Sequence, residues 1–142
     1  MNAQSPPQLV GVDRERHGPA IRYVGAVMAF VVATLVVASF IHLVADVRGR
    51  TDLFDSTDAG IAEAIIAGVL VAGIVAMIRN PRRARAIGIT AAGFATVGFV
   101  VGLGITARSA HMPDIAYHLS ILPLLVVSIV VLVRARPDED ER

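Results

Sequence analysis

Four apolar stretches, residues 24–45, 60–78, 86–107 and 115–133, take up most of the 142-residue chain. A helix needs about 20 residues to cross the hydrocarbon core of a bilayer, and each stretch is close to that length. Backbone groups in lipid find no water, so a spanning segment must satisfy its own hydrogen bonds. A helix does this and an isolated strand does not. The stretches also lack the two-residue alternation of a membrane-barrel strand. The predicted fold is therefore all-α, a four-helix transmembrane bundle. Apolar residues make up 55% of the chain and mean hydropathy is +0.67. The polar residues collect in tails and loops, which leaves no room for a separate soluble domain. The expected organisation is a polar tail over 1–23, a membrane domain over 24–134 and an acidic tail over 135–142, where the run 138–141 reads as a solvated end. The first stretch is longer than the apolar core of a signal peptide and follows a long polar segment, so a retained span is expected.

Punctuation agrees with these limits. Ser56, Thr57 and Asp58 are candidate N-caps before the second span. Asn80-Pro81 ends it, Pro113-Asp114 opens the fourth, and Pro137 follows the fourth.

Charge placement predicts the orientation. All thirteen basic residues are Arg. Ten of them lie in the N-terminal tail (Arg14, Arg16, Arg22), in the segment between spans two and three (Arg79, Arg82, Arg83, Arg85) and in the C-terminal tail (Arg134, Arg136, Arg142). Only Arg48, Arg50 and Arg108 fall on the other side. Arg-rich segments stay in the cytoplasm. Both termini are thus expected inside, residues 46–59 and 108–114 outside, and the protein in the inner (plasma) membrane. Arg79, Arg82, Arg83 and Arg85 read as this topology signal, with attraction to anionic lipid as the second reading. A chain rich in Ala, Val, Gly and Arg without Lys fits a high-GC, bacterial genome.

Small residues mark expected helix contacts. Gly60, Ala64, Gly68, Ala72 and Ala76 recur every four positions, as do Gly25, Ala29 and Ala33, while Gly98 and Gly102 form a GxxxG pair with Thr106 one turn on. Such ridges let backbones approach closely in lipid. They are expected to pack within the bundle, with a homodimer seam as the alternative. Pro123 in the fourth span frees the carbonyl of Leu119 and predicts a kink there, with Ser120 or a water meeting the freed group.

The candidate site is a polar cluster at the outer ends of the spans: His42, Asp46, Glu63 and His118, with Asp114 and His111 close by. His42, Glu63 and His118 each lie about three residues inside a span boundary, which places them at one depth, roughly 5 Å below the surface. His42–Asp46 and Asp114–His118 are each four apart and share a helix face. A carboxylate one turn from a His can orient its ring, as it does at metal sites. Three readings of the cluster stand: polar residues that snorkel to the interface, a ligand or metal site, and a proton-linked role. As metal ligands, imidazole and carboxylate suit Zn, Cu, Fe or Ni. His42 and His118 would instead clamp a haem iron if their rings faced each other across a gap. His17 lies in the N-terminal tail, away from the cluster.

Other chemistry is excluded. Cys is absent, which removes thiolate catalysis and Cys-bound cofactors. No phosphate loop, nucleophile elbow or HExxH motif occurs. No charged residue falls at the expected midplane of a span, which disfavours a stand-alone transporter or pump. The expected partners are the lipid bilayer and a homo-oligomer or larger membrane complex, not nucleic acid. The leading expectation is a non-enzymatic binding or accessory subunit. The alternative is a metal- or haem-binding redox component using His42 and His118, and a purely structural scaffold is the third possibility.

Ile41-His42-Leu43 late in span one, Glu63 early in span two and Asp114-Ile115-Ala116-Tyr117-His118 opening span four carry a resemblance. The chain resembles small four-span membrane proteins of high-GC bacteria over residues 24–134. That resemblance implies the four-span fold and an inner-membrane location, and it implies no activity.

Overall fold

A computed structural model of the protein describes residues 18–47, 56–109 and 112–135, apart from the side chains of residues 45–47, 56, 57 and 109. Arg14, Arg16, His17, Arg48, Arg50, His111, Arg136, Pro137, Arg142 and the acidic run 138–141 lie outside the described residues. Four helices are present: α1 (Pro19–Val47), α2 (Ser56–Arg79), α3 (Ala84–Ser109) and α4 (Met112–Arg134), with a 3-10 turn, Pro81–Arg83, between α2 and α3. No strand occurs among the described residues. All four helices are long and apolar enough to cross a membrane.

The helices outrun the apolar stretches because hydropathy and hydrogen bonding mark different limits. Hydropathy ends where the side chains turn polar, whereas the backbone ladder continues into the interface. α1 begins at Pro19, where a fixed φ suits the first helical position, and the amide of Ile21 donates to the Gly18 carbonyl at 2.9 Å. Asn80 leaves the helical region at φ −128°, ψ 72°, which separates α2 from the turn.

The inner faces follow spacings of three and four residues. On α1 the buried positions are Val24, Met28, Val31, Leu35 and Ser39; on α4 they are Ile121, Leu125, Ser128 and Leu132. This repeat keeps one stripe against a neighbouring helix along its whole length. Each helix runs antiparallel to the next in the chain. Ser39 meets Gly60 across α1 and α2, Ile66 meets Gly98 across α2 and α3, and Leu132 meets Gly88 across α3 and α4. α1 also packs on α4, which closes the ring. The outward faces are apolar too: Phe40, Ile78 and Val97 are each more than 60% exposed. Helices that are apolar all round belong in lipid, where such faces carry no penalty.

The packing corrects the small-residue expectation. Of the Gly60 ladder only Gly60 itself is buried against α1. Ala64, Gly68 and Ala72 face outward, and nothing lies within 4 Å of a side chain added at Gly68. Gly25, Ala29 and Ala33 behave alike: Gly25 has open space around it and both alanines are exposed. The cause is helical geometry. A four-residue step advances about 40° past a full turn, so a strict ladder walks off the contact face within a few turns. The close α2–α3 approach falls at Gly73, where an added Cβ would lie 2.6 Å from the Cβ of Ala91. Gly98 and Gly102 do sit on the inner face, where they leave room for Ile66 and His118.

Two further expectations change. Ser120 donates to the Ala116 carbonyl at 2.7 Å, so it does not serve the Leu119 carbonyl freed by Pro123, and α4 continues as helix through that proline. Arg85, read from sequence as a topology signal, makes contacts across the bundle that the sequence reading does not include. Its Nε donates to the Leu132 carbonyl at 2.7 Å and its Nη2 to the Val133 carbonyl at 2.9 Å. The last carbonyls of a helix have no partner within it, and a cation from α3 here supplies one for α4.

Candidate functional site

The core stripes run on into the polar cluster. Continuing the three–four spacing of α1 beyond Leu35 gives Ser39 and then His42. Continuing that of α4 back from Ile121 gives His118 and then Asp114. The same periodicity that buries the core therefore turns these polar side chains toward the bundle interior.

His42 on α1 donates from Nδ1 to the Glu63 carboxylate on α2 at 3.0 Å, and both side chains are largely shielded, at 22% and 13% exposure. Just below, the Ser39 hydroxyl donates to the Gly60 carbonyl at 2.7 Å, so two polar contacts join α1 and α2 within one turn. His42 thus takes its partner from the adjacent helix. Asp46, expected to orient it, lies in the last turn of α1, and its side chain is outside the described residues.

His118 on α4 is held differently. Its Nδ1 donates to the main-chain carbonyl of Asp114 at 2.8 Å, so the backbone of that residue, not its carboxylate, orients the ring. With the proton on Nδ1, the lone pair of Nε2 points at Gly102 on α3, where an added Cβ would stand only 2.5 Å away. The ring also meets Phe99 edge-on, with centroids 5.3 Å apart, and Tyr117 at 5.9 Å. Phe99 and Tyr117 are 5.7 Å apart, which completes a cluster of three rings.

Phe99 and Thr34 were not picked out from sequence, and Tyr117 and Thr106 were named there but not as members of the site. The Tyr117 hydroxyl donates to the Thr34 hydroxyl on α1 at 3.1 Å, and Thr34 donates to the Val31 carbonyl at 2.9 Å. Thr106, fully inside the bundle, donates to the Gly102 carbonyl at 2.7 Å. Counting depth along each span singles out the ionisable residues alone. The signal for the others is the inner stripe, on which Phe99, Gly102 and Thr106 follow one another at spacings of three and four.

These side chains surround a cavity of about 750 Å³ to which all four helices contribute. Leu35, Ile66, Gly98 and Phe99 form its deep end. His42, Glu63, Thr106, Tyr117 and His118 stand along its walls, and Asp58, Pro113 and Asp114 lie toward the bundle end. The structure thus gathers His42, Glu63, Asp114 and His118 around one space. It does not gather them as a metal set: among the described residues no three His, Asp or Glu side chains come close enough to share an ion. The His118 Nε2 is turned onto Gly102 of α3.

Comparison with protein-family models, with curated proteins and with solved structures gives no match in any of the three.

Proposed function

We propose that this chain is an inner-membrane protein of a high-GC bacterium, with both termini cytoplasmic, that binds a small amphipathic molecule in its outer-end cavity. It acts there as a non-enzymatic binding or accessory subunit. The observation that carries this reading is the cavity. Small-molecule sites typically enclose about 300–1,000 Å³, with apolar walls and a few fixed polar groups. At about 750 Å³, with Leu35, Ile66 and Phe99 deep and the His42–Glu63 pair on the wall, this space matches on both counts.

The orientation rests on charge. Arg22, Arg79, Arg82, Arg83 and Arg134 are exposed at the end opposite the cavity, which the positive-inside tendency assigns to the cytoplasm. The cavity then opens toward the outer face. A reporter fused after Arg142 should be active only in its cytoplasmic form, and a periplasmic signal would reverse the assignment.

Binding is tested with the full chain in detergent and N-phenyl-1-naphthylamine, a neutral dye that brightens in apolar surroundings. Saturable brightening at one site per chain is expected. Ala38→Phe, which places a ring in the cavity, should abolish it. A dye response identical in the two proteins would sink the reading.

A further inference from the structure

The lining of the cavity also specifies charge. Its ionisable groups are three carboxylic acids and two imidazoles: Glu63 on the wall, Asp58 and Asp114 toward the bundle end, and His42 and His118 beside them, apart from the phenol of Tyr117. Among the described residues no Arg lines it; Arg108, exposed at the end of α3, lies outside the lining. With all three acids ionised, even two protonated imidazoles leave the lining net negative. Neutral imidazoles leave it more so. An anion entering this space would meet more carboxylates than cations among the described lining residues, and at membrane depth, where water screens little, that mismatch is costly. A cation finds the opposite. Glu63 offers an ionisable oxygen already oriented by His42 at 3.0 Å, and Phe99 and Tyr117, aromatic residues of the kind that attract onium groups, also line the space.

We infer that the occupant of the cavity is a lipophilic organic cation, an amphipathic amine or quaternary onium ion. Its charged group sits beside Glu63 and its apolar body against Leu35, Ile66 and Phe99. This rests on the cavity being a binding site, as proposed above, and adds the sign of the ligand's charge.

Tetraphenylphosphonium and tetraphenylborate share one shape and carry opposite charges, so they separate charge from size. Equilibrium dialysis of the full chain in dodecyl maltoside measures both, with N-phenyl-1-naphthylamine as the neutral probe and Ala38→Phe as the baseline for micelle uptake. Tetraphenylphosphonium should bind saturably at one site per chain, displace the dye and exceed tetraphenylborate in affinity by about tenfold or more. Glu63→Gln should weaken the phosphonium by about tenfold and leave dye binding in place. Asp58→Asn, at an exposed position, should weaken it less but in the same direction, and it keeps the test open if the Glu63 variant fails to fold. Dye binding with the two ions equal, or with the borate tighter, overturns the inference and leaves the cavity reading intact. If neither dye nor ions bind above the Ala38→Phe baseline, the cavity reading fails as well.

Discussion

The two ends of this bundle solve the same packing problem in opposite ways. At the Arg-rich end the helices close tightly. Gly88 lies under Leu132 and Met77, Ala84 is fully buried, and Arg85 ties the start of α3 to the last carbonyls of α4. At the other end, the ring cluster of Phe99, Tyr117 and His118 and the His42–Glu63 pair hold the helices around a space of about 750 Å³. Small residues in a membrane bundle bring backbones together. Here they do so at Gly73 and Gly88, whereas Gly102 leaves room for an imidazole. A glycine at a helix contact is therefore read by what fills the space it leaves. One end reads as a clamp and the other as a receptacle.

The steepest test of the clamp is Gly73→Leu. An added Cβ would meet the Cβ of Ala91 at 2.6 Å, a point fixed to the α3 backbone, so the helices must separate. A loss of about 1–3 kcal/mol is expected, typical of overpacking, and thermal unfolding followed by circular dichroism in detergent measures it. An unchanged midpoint would show that the two ends are equally loose. Arg85→Ala comes next. It strips the Leu132 and Val133 carbonyls of a charged donor, for an expected loss of about 1.5 kcal/mol in the same assay. Arg85→Lys should recover only part, since an ammonium lacks the forked geometry that reaches two carbonyls at once.

At the open end the effects shrink. A double-mutant cycle on His42→Ala and Glu63→Ala should return a coupling of about 0.6 kcal/mol, the usual size for a polar contact between membrane helices. Additivity of the two single variants would mean the pair does not join α1 to α2. The smallest effect belongs to Gly68→Leu, which meets open space and should move the midpoint by no more than about 0.5 kcal/mol. If it destabilises as much as Gly73→Leu, the outward ladder on α2 is buried in a contact between chains, and the contrast between the two glycines is one of assembly.

Length and hydropathy made the four helices legible before any coordinate was known, because a bilayer demands about 20 apolar residues of any helix that crosses it. Counting residues from the span ends singles out His42, Glu63 and His118, and all three line one cavity. Rotation about each helix axis was the harder quantity. A ladder of every fourth residue looks like a face on paper but turns steadily around the helix, so Ala64, Gly68 and Ala72 ended outside. The partner choices of His42 and His118 were hidden for a related reason. Residues four apart on one helix can always be paired in sequence, whereas the Glu63 carboxylate comes from the next helix and the Asp114 carbonyl from the backbone. Arg85 carried no mark separating it from Arg79, Arg82 and Arg83, and only its reach to α4 sets it apart.

That reach has a consequence for biogenesis. The carbonyls that Arg85 binds belong to residues 47 and 48 positions later in the chain. While α3 is being synthesised they do not yet exist, and the guanidinium has no such acceptor to bind. The contact forms only once α4 has been synthesised and has brought its final turn beside the start of α3. Arg85 is then the stitch that records completion: a chain arrested before Leu132 can form three helices but leaves this seam unsewn.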